Sequence, residues 1–328
     1  MKKILSLMLA VLMLFSFAGC SIAKVEEPVT GEMNVYVLSG PTGIGAVNLR
    51  AKSDEGKTLN KYNFTMVAAN DEIVAAVSNG KADVAAVATN LAATLYNRTN
   101  SGVTVLAVNT TSVLSILTNG GQLGSIADLR GKTIYTPGQG ANPEYILRYV
   151  LSGNGLDPDK DVTIKFVADG SELPAVWAKE ENKDAVIMAP QPVATNILTK
   201  YTEAKTAFDM GEEWSKVSSD SSLFMGCVIV RNEYLEANPE VVKTFLKEYE
   251  ESVKAAVADA AGTGALCEKY AIIPKAAIAT KAIPSCGLTY ISGSEMKKGL
   301  SGYLKVMYDA NPKSVGGKLP GDDFYYAG

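Results

Sequence analysis

Two side-chain amides stand at matching places in this sequence. Asn90 follows the apolar run Asp83-Val-Ala-Ala-Val-Ala88, and Gln191 follows Asp184-Ala-Val-Ile-Met-Ala189, 101 residues further on. An amide donates and accepts hydrogen bonds at once, which suits the edge of a planar polar molecule. Around the pair lie hydroxyls, more amides and glycine turns: Ser39-Gly40-Pro41-Thr42-Gly43, Asn70, Thr89, Asn109-Thr110, Thr136, Gly138-Gln139-Gly140 and Asn142. Turns without side chains let backbone N–H groups approach a bound molecule. The plain alternatives are a tight strand-to-helix turn at Gly40 and capping by Asn142, Asn90 and Gln191. Gly40-Pro-Thr-Gly-Ile-Gly45 has neither the spacing of a dinucleotide fingerprint nor the lysine of a phosphate loop. None of these stretches holds Lys or Arg, so a strong anion would rest on amides and hydroxyls alone.

What is missing narrows the chemistry further. The chain has no histidine, which removes Ser-His-Asp and Cys-His catalysis and the commonest metal ligand together. Beyond Cys20 the cysteines are Cys227, Cys267 and Cys286, a set that matches no zinc spacing. A Cys267–Cys286 bridge stays open. With 31 basic and 35 acidic residues the surface is mildly acidic, which argues against nucleic acid as a partner. We expect no enzyme, no cofactor and no metal.

The elements that must hold these residues read as alternating strands and helices. Asn34-Val-Tyr-Val-Leu38, Asn63–Ala68, Asp83–Ala88 and Val103–Val108 have strand length, and helical periods fall between them. That alternation predicts βα units in a mostly parallel sheet. Such strands are covered on both faces, which explains their continuous apolar character. Two internal echoes then set the architecture. The segment Asp71–Ala88 matches Ser171–Ala189, each an amphipathic helix, a polar turn, an Asp and a buried strand. Val35–Leu38 with its Ser39–Gly43 turn matches Lys132–Tyr135 with Thr136–Gly140. The fold class is therefore α/β, with two doubly wound lobes of like construction. Asn142-Pro143-Glu144 and Asn238-Pro239-Glu240 read as helix starts, each with an N-cap amide and a proline in the first turn.

The N-terminus reads as an export signal: Lys2 and Lys3, an apolar run from Ile4 to Gly19, then Cys20. Phe17-Ala18-Gly19-Cys20 resembles a bacterial lipobox, which implies cleavage after residue 19, lipidation of Cys20 and a tether over residues 20–32. The chain as a whole resembles the solute-binding lipoproteins of ABC importers, in the branch handling nitrate, sulfonates, taurine and thiamine-pyrimidine precursors. The residues carrying this are the lipobox, the Gly40–Gly43 turn, Asn79-Gly-Lys-Ala-Asp83, Ile126–Lys132 and the Asn238-Pro239 helix.

The resemblance implies two lobes of the periplasmic-binding-protein-like, type II kind, with ligand in the cleft between them. Residues 33–110 plus 222–328 would form lobe 1 and residues 111–221 lobe 2, with hinge crossings near Thr110–Ser112 and Asp220–Phe224. It also implies an extracytoplasmic monomer, lipid-anchored, whose partners are a small-molecule ligand, an ABC permease and its ATPase. One departure bears on the cargo. Where the branch often has Glu-Pro, this chain has Gln191-Pro192, so a charged acceptor has become a neutral amide. The expected cargo is accordingly neutral or weakly charged and heteroaromatic, pyrimidine-like. Sulfonate, taurine or nitrate is the alternative, and a ligand-sensing lipoprotein or a cofactor-pathway enzyme is the alternative of another class.

Overall fold

The computed structural model describes residues 29–179, 184 and 186–328. The export segment 1–19, the lipidation site Cys20 and the tether as far as residue 28 lie outside the described residues. The strands are β1 (Glu32–Leu38), β2 (Lys61–Val67), β3 (Val84–Ala88), β4 (Val103–Thr110) and β5 (Leu114–Asn119). They continue as β6 (Thr133–Pro137), β7 (Thr163–Val167), β8 (Val186–Pro190), β9 (Ala204–Asp209), β10 (Gly226–Arg231) and β11 (Leu288–Ile291). The main helices are α1 (Val47–Asp54), α2 (Asn70–Ser78), α3 (Thr89–Arg98), α4 (Asn142–Gly153) and α5 (Leu173–Ala178). After them come α6 (Val193–Lys200), α7 (Met210–Val217), α8 (Pro239–Ala258), α9 (Ala260–Lys269), α10 (Ala276–Ala282) and α11 (Gly293–Ala310).

The strands form two sheets, ordered β11-β4-β10-β3-β1-β2 and β7-β6-β8-β5-β9. Apart from β11 the two orders are the same if β10 and β5 are taken as equivalents. Both of those strands run antiparallel to their neighbours, whereas β1–β2, β1–β3, β6–β7 and β6–β8 pair in parallel. The sheets are thus mixed, each with one internal antiparallel strand, and in the first sheet the edge strand β11 also pairs antiparallel, with β4. The internal antiparallel strand is the one the other lobe delivers: β5 follows β4 directly, and β10 follows α7. The sequence echoes fall on equivalent strands, Val35–Leu38 in β1 against β6, and the runs ending at Ala88 and Ala189 in β3 against β8.

Alternate residues of each strand feed different cores. Ala85 and Val87 pack with Ile73 of α2 and Leu95 of α3, while Val84 and Ala86 pack with Leu49 of α1 and Phe245 of α8. Helices on both faces leave no polar face, hence the unbroken apolar strands. In the second sheet Ile116 and Met188 belong to the first of these cores, and Leu117 and Ile187 join Leu173 and Ile197 of α5 and α6. One core therefore runs through both lobes. The Asn79–Asp83 motif proves structural: buried Asp83 accepts from the Asn34 amide nitrogens and pairs with Arg231, tying β1, β3 and β10 together.

The chain passes between sheets at residues 111–113 and 218–225. Thr111 N–H donates to Gly287 O at 2.8 Å, and Met225 N–H to Thr110 O at 3.0 Å. The return passage lies against α11 at Gly299 and Gly302. A Cβ at Gly302 would stand 2.4 Å from the Asp220 carbonyl oxygen, and one at Gly299 would stand 2.5 Å from the Phe224 ring. Gly302→Ala should lower stability by about 1–3 kcal/mol, against the helix-propensity gain of roughly 1 kcal/mol that alanine brings at an open site. Urea denaturation measures it; an unchanged or raised midpoint would contradict this packing.

Candidate ligand cleft

In open α/β sheets the space beyond the carboxyl ends of the parallel strands collects loops and helix N-termini. Here two such sets meet. From lobe 1 come Ser39–Gly43 after β1, Asn70 after β2 and Thr89-Asn90 after β3. From lobe 2 come Thr136–Asn142 at the end of β6, Asp169-Gly170 after β7 and Gln191 after β8. A Cβ at Gly170 would lie 3.5 to 3.8 Å from Val193, Pro190 and Pro137, so the three loops of lobe 2 converge. The lobes touch where Asn142 Nδ2 donates to Asn90 Oδ1 at 3.0 Å.

The glycine turns are built as turns first. Gly40 has φ 93°, and its N–H donates to Ile272 O at 3.0 Å. Gly43 packs so closely that a Cβ would meet Leu38 O at 2.4 Å. Ser39, Pro41 and Thr42 remain partly exposed at the mouth. On the opposite side Gly138 has φ 84°, Gly140 N–H donates to Glu144 Oε2 at 2.7 Å, and Ala141 N–H donates to Gly138 O at 3.0 Å. Gln139 and Gly140 are exposed, as is Asn70 at the first turn of α2.

Several polar residues singled out by sequence turn out to brace the walls. Asn109 Nδ2 donates to Thr42 O at 3.0 Å and to the Tyr249 hydroxyl at 2.8 Å. Its Oδ1 accepts from Thr110 Oγ1 at 3.0 Å. Both residues are buried, and together they pin the Gly40 turn from below. Burial pushes the Tyr249 hydroxyl well above the ordinary tyrosine range, so it stays protonated beneath that turn. Thr89 Oγ1 donates to Phe224 O at 2.7 Å, holding the return passage. Thr136 is fully buried, with its hydroxyl on Pro137 O at 3.2 Å.

The two amides do not form the facing pair that their offset suggested. Asn90 meets Asn142. Gln191 is buried, and its Oε1 accepts from Thr195 N–H at 3.2 Å and from Thr195 Oγ1 at 2.7 Å, so it closes the first turn of α6. It lines a hollow of about 440 Å³ in which Ser115, Thr195 and Asp209 of lobe 2 lie opposite Lys281 of lobe 1. Asn142 is likewise no N-cap: Ala141 holds that position and Asn142 turns toward lobe 1. Sequence reading missed the C-terminal segment altogether. Ser314 O accepts from Asn90 Nδ2 at 3.4 Å, and Asn311 Nδ2 donates to the Tyr145 hydroxyl at 2.9 Å.

A family model described as NMT1/THI5 like matches residues 61–262. The chain belongs to that family. No curated protein sequence matches it. Among solved structures, one similar to this NMT1/THI5-like chain is described as an ABC transporter from Parabacteroides distasonis. It has a TM-score of 0.74 and 20% identity, covering 92% of this chain and 99% of that one. The periplasmic aliphatic sulphonate binding protein SsuA from Escherichia coli follows, with TM-score 0.69 and 13% identity over 90% and 92%. The periplasmic nitrate-binding protein NrtA from Synechocystis has TM-score 0.52 and 12% identity over 81% and 74%. At these identities the likeness establishes the shared two-lobe fold.

Gln191→Ala should cost about 1–3 kcal/mol of stability by leaving the Thr195 groups unpaired, while solute binding in the cleft stays as it was. Denaturation and calorimetry on one preparation check this; lost affinity at unchanged stability would return Gln191 to the cleft.

Proposed function

We propose that the chain is the extracytoplasmic solute-binding component of an ABC importer, capturing a small, neutral or weakly charged heteroaromatic molecule by lobe closure. The observation carrying this is the pair of like-ordered sheets, joined by two crossings, whose strand-end loops meet at the Asn90–Asn142 contact. Residues 33–110 with 222–328 make one lobe and residues 111–221 the other. Bending at 111–113 and 218–225 brings the loops together over the solute, excludes water and presents one continuous face to a permease. No bond changes, and a chain without histidine lacks the commonest general acid–base residue. The leader and Cys20 support lipid anchoring at the outer membrane face.

The sulphonate and nitrate named for two of the similar structures make anions the competing cargo. Against that, Ser39–Gly43, Asn70, Thr89-Asn90 and Thr136–Asn142 include no Lys or Arg. A buried anion without a neighbouring cation is costly. Mass spectrometry of the protein purified without denaturation identifies what it carries, and a thermal-shift panel ranks candidates. A bound ring compound, stabilising by about 2.7 kcal/mol at a hundredfold excess over Kd, is the expected result. Tight binding of sulfonates or nitrate with none of pyrimidines would contradict it.

A further inference from the structure

The contact between the lobes is a short chain of amides whose orientation is fixed at one end. Asn90 Nδ2 donates to the backbone carbonyl of Ser314 at 3.4 Å. A carbonyl oxygen only accepts, so Asn90 keeps its nitrogen toward Ser314 and its oxygen toward Asn142. Asn142 Nδ2 fills that oxygen at 3.0 Å. What remains is Asn142 Oδ1, fully buried and without a hydrogen-bond partner among the described residues, on a side chain only 7% exposed. Turning the Asn142 amide over would set two oxygens against each other. Turning both amides over would set an oxygen against the Ser314 carbonyl. The orphaned atom is an acceptor in the arrangement that the network allows.

The surroundings agree. Asn142 opens the helix α4, whose N-terminus would ordinarily attract an anion. At its first turn Gly140 N–H holds the Glu144 carboxylate, Ala141 N–H returns to Gly138 O and Pro143 has no N–H to give, so its open donors are the Asn142 and Glu144 N–H groups beside the orphaned oxygen. In lobe 1 the Gly40 N–H is taken by Ile272 O. Asn97 Oδ1, Ser112 Oγ, Trp177 Nε1 and the Tyr303 hydroxyl are also buried without partners among the described residues. Asn142 Oδ1 differs in lying on the residue that joins the strand tips of the two lobes, and an open buried acceptor there is costly unless a solute completes the network.

We infer that Asn142 Oδ1 takes an N–H or O–H of the solute, so that the cleft selects molecules with a hydrogen-bond donor on a neutral edge over donor-free oxyanions. Amino-substituted rings, ring lactams and primary amides fit; nitrate and methanesulfonate do not. This rests on the carrier reading above. Asn90 is a positioning residue in it: its oxygen keeps the Asn142 amide from turning over.

Calorimetry on the wild-type protein and on Asn142→Ala and Asn90→Ala tests the assignment, with cytosine, uracil and nicotinamide as donor-bearing probes and nitrate and methanesulfonate as donor-free ones. Binding in the wild type should be confined to donor-bearing probes. Asn142→Ala should weaken the best of them roughly ten- to a hundredfold. Asn90→Ala frees the Asn142 amide to turn its NH₂ inward, so it should weaken the same probe and let oxyanions bind. Nitrate or methanesulfonate binding more tightly than every donor-bearing probe overturns the inference. So do both variants leaving all affinities unchanged, or a purified cargo with no donor at all. A protein that carries no cargo and responds to no solute overturns the carrier reading instead.

Discussion

Each sheet is complete only when the chain arriving from the other lobe hydrogen-bonds into it as its one internal antiparallel strand. β10 joins β3 to β4, and β5 joins β8 to β9. Neither lobe therefore has a continuous sheet of its own making. This exchange forces two crossings, places them side by side, and turns the parallel strand ends of the two lobes toward each other. The ends of the crossings are tied to the lobes by Thr111 N–H on Gly287 O, Gln191 N–H on Val113 O and Met225 N–H on Thr110 O.

The two sides of the cleft differ. On the side of α4, α7 and α11 the core is shared, with Trp214 lying 4.4 Å from Tyr149 and 5.7 Å from Tyr303 between ring centroids. The Trp214 indole also donates to Ser221 on the return passage at 2.9 Å. Apolar packing of this kind separates only at substantial cost, so in the proposed carrier reading this side is the pivot. At the strand tips the lobes meet through amides and hydroxyls, each such bond worth only about 0.5–1.5 kcal/mol net. A seam that weak is cheap to open, and in the proposed reading a solute completing its hydrogen bonds shifts the balance toward closure.

The architecture was legible in the sequence because buried parallel strands leave a coarse signal. Val84-Ala-Ala-Val and Ile187-Met-Ala have no polar face, and the recurrence of such runs behind matching helices exposed the second lobe. The antiparallel members were not legible: Cys227-Val-Ile-Val230 looks like any other buried strand, and its direction is set by where the chain comes from. The site was only partly readable, for the same reason. Asn109 and Asn142 are the same residue, one near the end of β4 and the other at the start of α4. One is saturated by Thr42, Tyr249 and Thr110, while the other reaches across the seam. Gln191 matched Asn90 in position along its strand, but α6 begins two residues later and offers it Thr195, so its amide turns inward. Nothing in Asn311-Pro312-Lys-Ser314 announced that this segment would supply the carbonyl orienting Asn90, because that depends on the path of the tail over α3.

The central claim is that the two lobes shut over a small molecule by bending at the crossings. Small-angle X-ray scattering of the protein before and after saturation with its solute tests this most directly. The account predicts a more open particle without solute and a fall in radius of gyration on saturation, with the scattering of each lobe unchanged. One compact particle, identical in both conditions and indifferent to every solute offered, would contradict it.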